Sequence, residues 1–243
     1  MANTFRVSEF RNNTPLTYAV IGLLSAAAFV SAMFALFSFL MVLMPDWVLD
    51  FGDGEPPLPV ALSIVGLFAI IEIPLRVITV VVFLIWLYRA YSNLSPLNAR
   101  NLEFSPGWAV GWWFIPFANL VKPFQVVREV YNESSADFDP DSGFTTMPPG
   151  TPLEIGAWWA TFIVSGFLYR LSDKLFGNGE TPASEYFATV FLAGALCSTV
   201  AAVLAAYIVK AVNSRQIARL AIVGANSGPM DTPPAPPVFD QDL

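Results

Sequence analysis

Between Thr17 and Met44 the chain carries no charged side chain, and that run decides which solvent part of this protein needs. A helix rises 1.5 Å per residue, so a hydrocarbon core of ~30 Å takes ~20 apolar residues. A soluble core has no use for a longer run. A backbone in lipid must close its own hydrogen bonds, so the run reads as a helix. Its apolar residues do not alternate, which argues against an outer-membrane barrel. The run exceeds the ~7–15 residues of a signal-peptide core, and no small-residue cleavage site follows it, so an uncleaved first span is expected.

Three further apolar blocks follow, over about Leu58–Tyr88, Leu153–Leu171 and Ser184–Val212. The expected fold is an all-α integral membrane protein with four full transmembrane helices. The bundle is placed at 17–223, behind an N-terminal segment at 1–16. A Pro-rich acidic tail at 224–243 has the composition of a disordered segment. Charged residues make up 13% of the 243 residues, against about 25% for a soluble domain. The net charge of −7 opposes nucleic-acid binding. There is no histidine, and the one cysteine, Cys197, lies in an apolar block. No internal disulfide can form, and the commonest metal and haem ligand is missing. No metal and no cofactor are expected. The acidic loop around Asp137, Asp139 and Asp141 lacks the glycine and glutamate of an EF-hand and reads as a solvated loop.

The stretch Pro106–Tyr131 is apolar but interrupted by Pro116, Lys122 and Pro123. Either it dips into the membrane and returns as a re-entrant or interfacial segment, or it spans, giving five spans. Lys and Arg mark the cytoplasmic side. With a returning segment, Arg6, Arg11, Arg89, Arg100, Lys122, Arg128, Lys210, Arg215 and Arg219 share one side, leaving Arg170 and Lys174 outside. With a spanning segment the charges divide almost evenly. The rule favours the returning segment, with both termini cytoplasmic. Irregular backbone at membrane depth must be covered by protein or water, so the turn near Pro116–Asn119 is expected to pack on the other spans. The polar side chain of Asn119 would serve there.

Glu72 and Arg76 stand four apart near the middle of the second block, in the favourable order for an ion pair on one helix face. Each costs roughly 2.5–3.5 kcal/mol at a membrane centre, so both should face the bundle interior. Pro74 between them frees the carbonyl of Ile70. The pair, with Asn119, is the candidate intramembrane polar site, for an ion, a proton or a polar ligand; the plainer reading is a buried structural pair that locks helix packing. Trp86, Tyr88, Tyr91, Trp108, Trp112, Trp113, Trp158 and Trp159 would suit a flat apolar ligand such as a quinone, pigment or lipid tail. The plainer reading is an interfacial aromatic belt. The small residues from Ala193 to Ala206 permit close helix approach, within the chain or between chains. Lys210, Arg215 and Arg219 read as an anionic-lipid contact or as ordinary topology signals.

The run Leu84-Ile85-Trp86-Leu87-Tyr88-Arg89-Ala90-Tyr91-Ser92-Asn93, then Ser105-Pro106-Gly107-Trp108 and Gly111-Trp112-Trp113-Phe114-Ile115-Pro116, with Asn119-Leu120, Pro123 and Trp158-Trp159, resembles a bacterial membrane-protein family catalogued as domain of unknown function 4328. The resemblance covers about Leu58–Phe167, with a weaker echo in the last block. It implies a bacterial inner-membrane location and a shared fold. It supplies no chemistry. Pro74, Trp112, Trp113, Pro116 and Pro123 are the helix-break and motif positions.

No nucleophile with a base stands in the sequence, so the expected role is non-enzymatic: a scaffold, assembly factor or accessory subunit acting through helix association. The alternative is a small transporter or channel using Glu72 and Arg76. The expected partners are membrane lipids, and another membrane protein or a second copy.

Overall fold

The computed structural model describes residues 9–43, 58–138, 151–177 and 184–226, and they form helices and turns with no β-strand. Helix α1 covers Thr14–Leu43 and α2 covers Leu58–Ser92. Short α3 is Pro106–Gly111, α4 is Lys122–Glu133, α5 is Leu153–Gly177, and α6 is Ser184–Asn226. Two 3₁₀ turns, Trp112–Phe114 and Ala118–Leu120, lie between α3 and α4. The acidic loop at 46–55, the residues 139–150, the loop at 178–183 and most of the tail lie outside the described residues. Helix α6 runs to Asn226, past Gly224 where the tail is expected to start.

Three helices are long and apolar enough to cross a membrane: Thr14–Leu43, Ile70–Ser92 and Tyr186–Ala225. They place the chain in a membrane. Helix α5 has the length, with 25 residues. It is not among these three, and it carries Glu154, Arg170, Asp173 and Lys174.

Helix α6 packs along α1 on one side and α5 on the other, and α1 also packs on α2. The order across the bundle is therefore α2, α1, α6, α5. Among the described residues α2 and α5 scarcely touch, so the bundle has an open seam between them. Close packing of α5 on α6 depends on Gly194, where a Cβ would stand 3.3 Å from Leu168 Cβ and 3.5 Å from Tyr169 Cδ1. The small stripe thus serves packing within the chain.

The third apolar stretch is no span. Its helical pieces have six, three, three and 12 residues, and none approaches the ~20 that a bilayer needs. Ser105 caps α3 by accepting from the Trp108 amide, with Pro106 in the first turn. Ile115, before Pro116, is held extended (φ −92°, ψ 116°), as proline demands of its predecessor. Phe117 then adopts φ +63°, a costly conformation for a residue with a Cβ. The chain re-enters helix at Lys122–Pro123. The five-span alternative is not what the chain does here.

The expectation that this turn packs inside the protein is corrected. Pro116 and Asn119 are exposed, and Phe117 is 86% exposed. The backbone needs little cover because it bonds to itself: Asn119 N–H to Ile115 O (2.9 Å), Val121 N–H to Ala118 O (3.0 Å). The Trp159 indole donates to Leu120 O at 3.0 Å. Phe114, Phe117, Leu120 and Val121 face outward, an apolar tip suited to lipid.

Candidate functional site

A cavity of about 170 Å³ lies in the seam between α2 and α5, with α1 and α6 as its floor. Small residues of the floor make the room: Ala27 on α1, and Ala201, Ala202 and Ala205 on α6. Phe83 of α2, Trp113 of the broken segment, and Trp158 and Phe162 of α5 wall it with rings. Trp113 is the hinge of this wall, with Phe83 at 5.6 Å, Trp159 at 6.0 Å and Phe162 at 6.4 Å between ring centroids.

The hydroxyls in the cavity are held internally. Ser31 and Ser198 bond each other at 3.2 Å. Thr79 donates to Leu75 O at 2.7 Å, and Ser165 to Phe162 O at 2.8 Å. Glu72 and Arg76 also line it. Arg76 Nε and Nη2 both donate to Glu72 Oε1, the first at 2.8 Å. The Glu72 side chain is 20% exposed and that of Arg76 is 48% exposed. Arg76 therefore stands at the mouth, and its guanidinium carbon lies 5.3 Å from the Tyr169 ring centroid across the seam.

The structure brings together Glu72, Arg76 and Trp113 of the expected site residues, with Pro74 inside the continuous helix α2. It does not bring in Asn119. Trp112 stacks on Trp108 at 4.8 Å, and the Lys122 ammonium lies 5.8 Å from its ring. Pro123 is buried at the start of α4, and Pro116 is exposed. Sequence reasoning missed Tyr169, Ser31 and Phe162 as site residues; each sits in an apolar run where nothing marks its face.

Tyr88 and Trp108 are exposed, whereas the centre of the aromatic cluster lies inside the protein. Trp86 and Tyr91 are 1% exposed, and Trp158 is buried. The Trp86 indole donates to Thr17 Oγ1 at 3.1 Å. These rings form the core that fixes α2 on α1 and carries the cavity wall.

A second polar cluster occupies the end of the bundle where α1 begins and α2 and α6 end. Asn93 accepts from Arg11 N–H (3.1 Å) and donates to Arg11 O (2.9 Å). Gln216 donates to Ala90 O at 2.8 Å and to Ser134 Oγ at 3.2 Å. Arg219 is fully buried and donates to the carbonyls of Leu97, Glu133, Ser135 and Asn98 at 2.8–3.2 Å. Its guanidinium also covers the Phe138 ring at 3.9 Å. The lipid-contact reading of Arg219 is thereby corrected: the residue binds the protein's own backbone. Arg215 stacks on Tyr131 at 3.8 Å and donates to its carbonyl. Tyr131 donates its hydroxyl to Glu154, and burial and that bond push its hydroxyl pKa up to about 12. Burial likewise raises the Glu129 carboxyl above its ordinary range.

No curated protein and no solved structure matches the chain. The family described as Domain of unknown function (DUF4328) matches residues 58–214. The match takes in both walls of the cavity, the broken segment and most of α6, leaving α1 outside. The chain belongs to that family.

Proposed function

We propose that this chain is a four-span protein of the bacterial inner membrane, with both termini cytoplasmic, that acts without catalysis as a scaffold, assembly factor or accessory subunit through helix association. The observation that carries the reading is the open seam. Helix α2 is held by α1 and α5 by α6, and the edge at which α2 and α5 would close the bundle is left for a neighbour. Four spans are supported by α5, whose 25 residues extend ~37 Å along α6. The orientation is supported by charge: Arg11, Arg89, Arg100, Arg128 and Arg215 gather at the polar end, and Arg170 and Lys174 at the other.

Purification in mild detergent, with a photo-crosslinking residue in place of Val80 on the seam or Tyr18 on the outer face of α1, tests this. A partner retained through purification and captured from position 80 but not 18 is the expected result. A homogeneous monomer in repeated preparations sinks the reading. Glu72 lining a cavity favours a transporter as the second reading. In that case Glu72→Gln changes flux in liposomes while stability and abundance stay level.

A further inference from the structure

The geometry points to a small ligand for the cavity behind the seam: a neutral, lipid-soluble ring compound of quinone type, with a carbonyl oxygen that accepts a hydrogen bond from Arg76. This goes beyond helix association, because the cavity is too small for a helix. At about 170 Å³ it is close to the ~150 Å³ apolar cavity that admits benzene, whereas a helix is ~10 Å across. One ring fits, with a tail leaving through the seam into the bilayer.

The walls match a flat ring. Phe83 stands on α2 and Trp158 and Phe162 on α5, and Trp113 joins the two walls. The floor between them is mostly apolar, with Leu24, Ala27, Ala201, Ala202 and Ala205 beside the Ser31–Ser198 hydroxyl pair. Aromatic faces pack on a ring at 4.5–7 Å with a gain that an acyl chain does not share.

The polar groups set the ligand's charge. Thr79 and Ser165 donate to backbone carbonyls, and Ser31 and Ser198 bond each other. Arg76 has five donor hydrogens, and two of its nitrogens face Glu72 Oε1, so donor capacity remains at the mouth. Glu72 neutralises the guanidinium, so the mouth offers a hydrogen bond without net charge. An anion would meet the Glu72 carboxylate; a neutral carbonyl meets a donor.

The test uses the full chain in phosphatidylcholine nanodiscs with 2-decyl-1,4-benzoquinone, read as quenching of tryptophan emission from the cavity wall. Saturable quenching is expected. It disappears in Ala202→Leu, which fills the floor. It weakens about tenfold in the double variant Glu72→Gln/Arg76→Gln, which removes the charge-assisted donor without stranding a charge. If Ala202→Leu does not accumulate, Thr79→Leu fills the cavity from the α2 side. Quenching that rises linearly with quinone in wild type and filled variants alike overturns the proposal. So does equal binding of decylbenzene, which lacks the carbonyls. Brominated phosphatidylcholine that quenches the same tryptophans undiminished by quinone assigns the cavity to ordinary acyl chains and also overturns it. The sample contains no partner protein, so this outcome and the crosslinking outcome fail separately.

Discussion

At Glu129 one proton is claimed twice. The Tyr91 hydroxyl faces Phe104 O at 2.8 Å and Glu129 Oε2 at 2.7 Å, and it accepts the Phe104 amide at 2.9 Å. A single hydroxyl hydrogen serves only one of those oxygens. A protonated Glu129 resolves the conflict by donating to Tyr91 Oη while Tyr91 donates to Phe104 O. Burial raises the Glu129 carboxyl in that direction, and Glu103 and Glu133 add to it, against hydrogen bonds from the Glu103 amide and Tyr91. A carboxyl whose folded pKa is raised stabilises the fold through its proton. That contribution is complete below the unfolded value near 4.5 and is lost as pH rises through the folded value. Glu129→Gln reproduces the protonated form, since its amide donates to Tyr91 and its carbonyl accepts from Glu103. The variant is expected to melt a few degrees above wild type at pH 7 and to change less than wild type between pH 4.5 and 7. Parallel melting curves for the two proteins across that range would refute the shared-proton account. No local pattern announces this contact, because Tyr91 lies 38 positions away on another helix.

Among the elements, the breaks were easier to read than the faces. Pro106, Pro116 and Pro123 act through local sterics, so their effect on the third stretch is visible in sequence, as is the two-sided character of α4. Helices α1, α2 and α6 are apolar all round, so no stripe tells which side is inward. Trp86 could be read as a belt residue for that reason, though it belongs to the core. Arg219 was hidden differently: a basic residue after an apolar run already has a sufficient explanation in topology. Its actual work is to hold the loop after α2 and the end of α4 on α6 through carbonyls of four residues. The loop needs such a clasp because Asn98 and Asn101 turn it through φ +60° and +58°, leaving carbonyls that no helix takes. Arg219→Lys keeps the charge and loses the planar fork. It is expected to cost about 2 kcal/mol or more, seen as a lower melting temperature in detergent. It should also open the loop at 93–105 to limited proteolysis. If Lys leaves both unchanged, charge alone suffices there and the clasp is not needed.

For the molecule as a whole, the order α2, α1, α6, α5 and the returning third segment have one consequence that reaches every loop. If Pro106–Glu133 returns to the side it left, α5 starts where α2 ended, and the start and the end of α5 lie on opposite faces of the membrane. A spanning segment would put the first of these outside and invert α5 and α6. The packing excludes that inversion within this fold. Asn93 is bonded to Gln216, Arg215 to Tyr131 and Tyr131 to Glu154, so the ends of α2, α4 and α6 and the start of α5 sit together. Which face they sit on is set by charge, since that end collects most of the Lys and Arg. Single cysteines at Asp141 and at Gly179, in a Cys197→Ser background, read this directly with a membrane-impermeant thiol reagent applied to intact cells. Labelling at position 179 alone is expected. Labelling at 141 alone would turn the molecule over, placing the clasped end and both termini outside. Labelling at both would mean that the two loops share a face, which no arrangement of α5 as a full span allows.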